Sequence, residues 1–198
     1  MDQSLRIPTA LVVIDCQESF RQRSYWNEAE AQPFFGAVQR AIDVCASAGV
    51  PIVQIFHHES LPGPFARSSG FVRTLAPLRI APDVTFYKRQ HSAFVGSGLE
   101  VWLRDAGLER ILVTGIRTEQ CCETTTRHGS DLGFQVDYIT EATLTFAMTY
   151  EATGRTFSPA EIRERTELVL AGRFARIRRV DEITGELRND KRVPVSTG

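Results

Sequence analysis

The chain has 198 residues, a formal net charge of −1, and 42% hydrophobic and 24% charged residues. This length favours a single domain over 1–198 that buries its own core, at about residues 9–180. The balanced charge disfavours nucleic-acid binding, which needs a broad basic surface. No apolar run approaches the roughly 20 residues that cross a bilayer, and the first residues lack the apolar centre of a signal peptide. We therefore expect a cytoplasmic protein without a membrane or nucleic-acid partner.

Six short apolar runs, separated by helical patterns, predict an α/β fold. Strands are predicted at 9–16, 50–57, 84–88, 110–114, 134–139 and 174–180. Helices are predicted at about 33–49, 99–107, 118–133 and 158–172. The strands are short and rich in β-branched residues, as buried parallel strands are. Their alternation with helices predicts a three-layer α/β/α fold with a six-stranded, mainly parallel sheet.

The remaining segments are predicted to lack regular structure or are left open. The polar and aromatic stretch 17–32 is typical of a loop, and the long irregular stretch 59–82 is expected to wrap a pocket or form an interface. The pattern of 141–156 does not decide between structures. The tail after Asp181 is polar and is expected to be loose. Four arginines at the last predicted strand alternate with apolar residues, which is typical of a half-exposed strand, namely Arg173, Arg176, Arg178 and Arg179.

Four residues with reactive side chains come at or just after the ends of predicted strands. Asp15, His57 and Lys88 each end a strand, and Cys121 follows the strand at 110–114. Ligands of parallel sheets bind beyond the carboxyl ends of the strands, so the fold would gather these residues at one edge. The ammonium group would stabilise a thiolate there, and the carboxylate could take the thiol proton. Three of these residues also have a plain structural alternative: Asp15 as a turn former, Lys88 as a solvated strand end and Cys121 as a core thiol.

The cysteines are expected to differ in their roles. Cys121 lies at a predicted helix start, where partial positive charge and free N–H groups favour a thiolate, so we expect a lowered thiol pKa. Cys122 points elsewhere and is assigned to the core. Together with Cys16 and Cys45, these residues match no zinc spacing. A redox pair of Cys121 and Cys122 is a minor alternative, because adjacent cysteines form a disulfide only with strain.

Several further residues are candidates for lining a substrate pocket. For the aromatic candidates the alternative is the core. His57 and His58 are adjacent on an extended chain and point to opposite sides, so they make a poor chelate, and a structural or pocket-lining role is favoured for them. The candidates are Gln17, Phe20, Tyr25, Trp26, His57, Phe94 and Arg117.

Three blocks of sequence, in order, carry a family resemblance. They are ALVVIDCQESF, FYKRQHSAFVGSGLEVWL and ILVTGIRTEQCCETTTRHGSDLGFQVDYITEA. Together they resemble the isochorismatase-like cysteine hydrolases, whose fold is Rossmann-like. That superfamily includes nicotinamidases, N-carbamoylsarcosine amidases, ureidoacrylate and biuret-type amidohydrolases and isochorismatase. The similarity runs over about residues 9–145 and is most specific around Cys121.

The resemblance implies a catalytic triad. The family's Asp, Lys and nucleophilic Cys fall on Asp15, Lys88 and Cys121. It also implies a cis peptide bond between Ile116 and Arg117, and an oxyanion hole formed by the N–H groups of Arg117 and Cys121. The chemistry would be metal-independent and cofactor-free hydrolysis of an amide, ureido or carbamoyl C–N bond in a small molecule, through a thioester.

Two departures from the family limit the substrate. The stretch IFHHESLPGPFARSSG lacks the Asp-x-His element with which nicotinamidases bind zinc, and no further His follows until His91. We therefore expect no nicotinamidase metal site. Arg117 follows the implied cis bond, where it either binds a substrate carboxylate or points to solvent or a neighbouring subunit.

Other functions remain open at this point. Isochorismatase-type hydrolysis of a vinyl ether depends on an Asp acid rather than a thiol, and the presence of Cys121 speaks against it. A non-catalytic binding protein that keeps the fold is the other alternative. By analogy with relatives, the expected assembly is a homodimer or homotetramer.

Overall fold

The computed structural model describes residues 7–190. The strands are β1 Thr9–Ile14, β2 Ile52–His57, β3 Val84–Lys88, β4 Arg110–Ile116, β5 Gln135–Leu144, β6 Met148–Tyr150, β7 Arg155–Phe157 and β8 Arg176–Ile177. The α-helices are α1 Glu28–Ser47, α2 Leu99–Asp105, α3 Glu123–Asp131, α4 Pro159–Leu170 and α5 Val180–Asp190. Short helical turns lie at Glu18–Gln22, Arg67–Ser69 and Thr118–Cys122. Within 7–190, no helix is both long enough and apolar enough to cross a membrane.

Six strands form one parallel sheet in the order β3-β2-β1-β4-β5-β8. The central strand β1 is buried along its whole length, because both faces of the sheet are covered. Leu11 and Val13 pack into one core with α1 and α5, whereas Val12 and Ile14 pack into another with α2 and α4. The predicted three-layer α/β/α fold with a six-stranded parallel sheet is confirmed.

Helix α1 begins at Glu28, earlier than the predicted start at Pro33. Asn27 caps it, because the Asn27 side chain accepts a hydrogen bond of 2.9 Å from the backbone N–H of Ala29. Pro33 lies inside the helix, where it removes one backbone donor. The predicted start was wrong because the periodic apolar face begins only at Phe34, whereas the helix is started by a polar cap.

The segment that the sequence left open contains the end of β5 and a hairpin. Strand β5 runs on to Leu144, past its predicted end at Ile139, and its register against β4 shifts between Val113 and Gly115. Strands β6 and β7 then pair as an antiparallel hairpin. These two strands are largely exposed and three residues each, so they carry no apolar pattern that would have predicted them.

The tail after Asp181, which was predicted to be loose, forms helix α5 as far as Asp190, and the strand predicted at 174–180 is reduced to β8. The part of the predicted tail at 191–198 lies outside the described residues. Val180, Ile183 and Leu187 are buried in the core that also contains α1. Their spacing of three and four residues is helical. Because polar residues surround these three positions in the sequence, their helical spacing was not recognised and no helix was predicted here. The core therefore extends beyond residue 180.

We expect Leu187→Ala to lower the free energy of unfolding by about 2–4 kcal/mol, because it leaves a cavity between α5 and α1. Leu187 is 3% exposed. The matched control is Leu168→Ala on α4, which removes the same atoms from a side chain that is 78% exposed, and should cost less than about 0.5 kcal/mol. Urea unfolding measures both. Equal effects of the two substitutions would show that α5 does not pack as described.

Two of the four arginines of the last predicted strand, Arg176 and Arg178, take part in an ion-pair network around Asp137, which is buried on β5. Arg176 Nε donates to Asp137 Oδ1 at 2.7 Å, and Arg110 Nε on β4 donates to Asp137 Oδ2 at 2.9 Å. Arg178 donates to Glu186 of α5 at 3.0 Å. The network joins β4, β5, β8 and α5, and so these arginines do more than occupy an exposed strand face.

Candidate active site

Asp15 lies directly after β1, at the carboxyl edge of the sheet. Its φ of +52° is in the left-handed region, which Asp tolerates better than most residues with a Cβ. Its N–H donates to Ile55 O of β2 at 2.9 Å. Gly115 of β4 passes so close that a Cβ there would lie 2.0 Å from the carbonyl oxygen of Ile14. Glycine at 115 therefore allows β4 to approach the end of β1 beside the candidate carboxylate.

Lys88 is the centre of the site. It ends β3 opposite His57 of β2, and its side chain and that of Asp15 are fully buried. Lys88 Nζ lies 2.7 Å from Asp15 Oδ2, 3.1 Å from the carbonyl oxygen of Gln90 and 3.4 Å from Cys121 Sγ. A fourth neighbour, His57 Nδ1, lies at 3.5 Å. The sheet thus brings together the carboxylate, the ammonium and the thiol that were predicted to meet.

The Lys88 side chain stays charged although it is buried. Burial alone lowers its pKa, but the charges of Asp15 and Cys121, and the hydrogen bonds to them, raise the pKa above its ordinary value. Burial and then the Lys88 charge lower the pKa of His57, which is therefore neutral near pH 7. Neutral His57 can accept a hydrogen bond from Lys88 at Nδ1.

The pKa of Cys121 is raised, and the predicted fall was wrong. The pKa of this thiol is raised to about 12: burial is the largest cause, the Asp15 carboxylate also raises it, and Lys88 lowers it. Cys121 also lies in the π-helical turn Thr118–Cys122 that precedes α3, and not in the first turn of an α-helix. The favourable charge of a helix N-terminus is outweighed by burial beside a carboxylate, so the resting sulfur is a neutral thiol.

The second carboxylate oxygen of Asp15, Oδ1, is a candidate acceptor for the Cys121 proton. Asp15 Oδ1 is buried and, among the described residues, receives no hydrogen bond. It belongs to the carboxylate that faces Cys121 and contributes to that thiol's raised pKa. A free acceptor beside a neutral thiol is the arrangement that a general base requires.

Alkylation of Cys121 by iodoacetamide should therefore become faster by roughly tenfold per pH unit between about pH 6 and pH 9, because the thiolate is the nucleophile. A thiol with a lowered pKa would instead level off within this range. Mass spectrometry after timed quenching measures the rate, with Cys121→Ala as the background. A plateau below about pH 8 would contradict the raised pKa of Cys121.

The carboxyl edge opens into a small pocket of about 150 Å³. Of the predicted pocket residues, Phe20, Tyr25, His57 and Arg117 line it, with Asp15 and Cys121 at its base. Five further lining residues were not predicted, namely Arg23, Glu59, Phe65, His91 and Gln120. Glu59 and Phe65 lie in the 59–82 stretch. That stretch was expected to wrap a pocket or an interface, so the sequence indicated the segment but not the residues.

Three predicted pocket residues lie elsewhere. Gln17 is buried and positions His57: its Oε1 accepts from the His57 N–H at 2.8 Å, and its Nε2 donates to the His57 carbonyl at 3.0 Å. Trp26 packs against Phe146 beside the pocket and donates through Nε1 to a carboxylate of α1. Phe94 stacks on Phe134 in the core. A sequence pattern cannot distinguish these side chains from lining ones, because all of them flank the same strand ends.

The stretch 59–82 is held over the site by backbone hydrogen bonds. The N–H of Glu18 donates to Arg73 O and that of Ser19 to Phe71 O, both at 3.0 Å. Leu75 N–H donates to Cys16 O at 2.9 Å. These contacts anchor the stretch to the residues that follow β1, so it forms a wall of the pocket.

The peptide bond between Ile116 and Arg117 is cis. Arg117 follows it, lines the pocket and is only 12% exposed at its side chain, so it does not project into solvent. Within residues 7–190, no three His, Cys, Asp or Glu side chains lie close enough together to hold a metal ion.

The fold and the site are those of an α/β enzyme with a candidate cysteine nucleophile beyond the sheet edge. The chain belongs to the isochorismatase family of hydrolases: the family model described as "Isochorismatase domain" matches residues 9–172. Nicotinamidase 3 of Arabidopsis thaliana is 30% identical over 152 residues, which cover 69% of this chain and 73% of that protein.

Two further comparisons agree with this membership. Ureidoacrylate amidohydrolase RutB of Stutzerimonas stutzeri is 24% identical over 172 residues, covering 68% of this chain and 69% of that protein. A crystal structure from Burkholderia xenovorans LB400, described as a "putative isochorismatase", superposes with a TM-score of 0.84 at 29% identity. That match covers 92% of this chain and 88% of the other.

Proposed function

We propose that this protein hydrolyses a C–N bond of a small amide, ureido or carbamoyl compound through a thioester on Cys121. The observation that carries the proposal is the position of Lys88 Nζ, 2.7 Å from Asp15 Oδ2 and 3.4 Å from Cys121 Sγ at the base of a pocket. The names of two relatives, a nicotinamidase and an amidohydrolase, support the choice of a C–N bond.

In the first step, Cys121 Sγ attacks the substrate carbonyl carbon while its proton passes to the Asp15 carboxylate. A C–S bond forms, and the carbonyl π electrons move onto the oxygen. The N–H groups of Arg117 and Cys121 are the proposed donors to this oxyanion. Lys88 remains an ammonium group and stabilises the negative charge that passes from carboxylate to sulfur. A neutral resting thiol suits this step because the proton moves only as the bond forms.

In the second step, the oxyanion collapses, the C–N bond breaks, and protonated Asp15 gives its proton to the departing nitrogen. Water then attacks the thioester and loses a proton to Asp15, which is again a base. Collapse of the second oxyanion breaks the C–S bond, and the proton returns from Asp15 to the sulfur. The products are the carboxylic or carbamic acid and the amine or ammonia, and the enzyme is restored.

The test is ammonia release from a panel of small primary amides, ureido acids and carbamoyl compounds. We expect turnover by the wild-type enzyme and none by Cys121→Ala. Cys122→Ala is the matched control, since it removes a neighbouring buried thiol that the mechanism does not use. Cleavage of a vinyl ether added to the panel, by Cys121→Ala but not by Asp15→Asn, would contradict the thioester and favour vinyl-ether hydrolysis. No turnover by the wild type, with unreactive Cys121, would favour a binding protein.

A further inference from the structure

Two arginines flank one aromatic ring in the wall of the catalytic pocket. The guanidinium carbon of Arg117 lies 5.4 Å from the centroid of the Tyr25 ring, and that of Arg23 lies 5.7 Å from the same centroid. All three residues line the pocket that contains Asp15 and Cys121. Contact with a π face orients a guanidinium group and leaves its N–H donors available at the edge.

Arg117 has donor capacity that the protein does not use. Its Nη2 lies 2.9 Å from Glu119 Oε1, which is its carboxylate partner. Its Nε is buried and, within 7–190, has no hydrogen-bond partner. A guanidinium group carries five N–H donors, so one ion pair does not exhaust it. An unpaired buried donor is costly, and a ligand oxygen that accepts from this guanidinium would relieve the cost.

Arg23 supplies a second positive charge near the mouth. Arg23 is exposed, and within residues 7–190 it forms no ion pair with a carboxylate. The Asp15 charge is neutralised by Lys88, whereas Glu119 pairs with one nitrogen of Arg117 and, in the described part of the chain, leaves other donors of that guanidinium group unused. Glu59 is 55% exposed and lies 3.9 Å from Nε2 of neutral His57.

We propose that Arg117 and Arg23 anchor a carboxylate of the substrate, so that the compound cleaved at Cys121 is a small amide, ureido or carbamoyl acid. The statement on cleavage rests on the proposed function, whereas the anion site stands on the two arginines. A carboxylate matches the planar fork of a guanidinium group, which can bind it through two hydrogen bonds. The pocket of about 150 Å³ is smaller than the roughly 300 Å³ of ordinary ligand pockets, so the acid and the scissile bond must be close together.

A pair of size-matched reagents tests the anion site without knowledge of the substrate. Iodoacetate and iodoacetamide alkylate the same sulfur and differ in charge. We expect the rate with iodoacetate divided by the rate with iodoacetamide to be about tenfold or more higher at Cys121 than for glutathione. The iodoacetate rate should also saturate with concentration, as it does when a reagent binds before it reacts. Mass spectrometry measures both rates at one pH and low ionic strength.

Variants assign the preference to the arginines. Arg23→Gln should reduce the ratio severalfold. The double change Arg117→Met with Glu119→Gln should have a similar effect, and it removes both members of an ion pair so that no buried charge is left unpaired. Arg117→Lys keeps the charge without the fork and should give an intermediate ratio. Arg173→Gln is the matched control, because Arg173 is also exposed, contacts Phe174 at 5.7 Å and lies before β8, away from the carboxyl edge. Glu59→Gln should raise the ratio.

The outcomes separate the two proposals. A ratio at Cys121 equal to that of glutathione, or one that Arg23→Gln and Arg117→Lys leave unchanged in folded protein, overturns the anion site. In a second arm, succinamate and its uncharged isostere levulinamide are compared as substrates by ammonia release. If neither compound is cleaved but iodoacetate still reacts preferentially at Cys121, the result supports the anion site and contradicts the proposed amide hydrolysis. If levulinamide is cleaved at the same rate as succinamate, the result supports the proposed hydrolysis and contradicts the anion site.

Discussion

Lys88→Met should reduce turnover by at least about 10²- to 10³-fold and lower the free energy of unfolding by about 3–5 kcal/mol. The activity falls because the Lys88 ammonium no longer stabilises charge on Asp15 and Cys121, to which it lies at 2.7 and 3.4 Å. The stability falls because Asp15 is left as a fully buried carboxylate without its partner. One substitution thus removes the proposed catalytic cation and creates an unpaired buried charge.

The double variant Asp15→Asn/Lys88→Met separates these two effects. It removes both charges together, and replacing a buried ion pair by neutral groups is often close to neutral for stability. Asn also tolerates the left-handed backbone that residue 15 adopts. We expect stability within about 1–2 kcal/mol of the wild type, and no recovery of turnover. Urea unfolding and ammonia release measure the two quantities.

Two results would contradict this interpretation of the pair. If Lys88→Met were as stable as the wild type, the carboxylate would not be held charged in the buried site. If the double variant regained turnover, the ion pair would be structural and the proposed roles of Asp15 and Lys88 would be wrong. Lys88→Arg is a further comparison, since it keeps the charge but is too large for a cavity enclosed by Gln90, His57 and Cys121.

Asp137→Asn should lower the free energy of unfolding by about 3–5 kcal/mol and leave the activity of the folded enzyme unchanged. Asp137 is fully buried and accepts hydrogen bonds from Arg110 and Arg176 at opposite oxygens. The amide keeps the shape but removes the charge that balances Arg110, which is itself buried. The network lies near the start of β4, at the amino edge of the sheet, so the active site should not sense the change.

The control for Asp137 is Glu186→Gln. Glu186 pairs with Arg110 and Arg178, and these hydrogen bonds lower the pKa of its carboxyl group. Its side chain is 34% exposed, so solvent screens the pair, and the loss should be about 1 kcal/mol or less. Thermal unfolding and urea unfolding give the two values. Equal losses for Asp137→Asn and Glu186→Gln would show that burial does not set the strength of this network.

The sequence was informative where a single element carries its own signal. The apolar runs that became β1, β2 and β4 each bury a strand on both faces, and such runs can be identified without knowledge of their neighbours. The capping box at Ser158 and Glu161, which marks the start of α4, is likewise local. The sequence was less informative for α5 and the β6–β7 hairpin, whose burial and pairing depend on what they pack against.

The sequence by itself determined which residues lie at the carboxyl edge of the sheet, because strand direction and strand ends follow from the order of the pattern. Only the tertiary structure decided how those residues behave. The Cys121 pKa depends on burial and on a carboxylate 106 positions away in the chain. Gln17 and Arg117 were both predicted to line the pocket, but the Gln17 side chain bonds the backbone of β2, whereas Arg117 lines the pocket. Side-chain direction and electrostatic environment are set by packing between distant segments, and no local pattern encodes them.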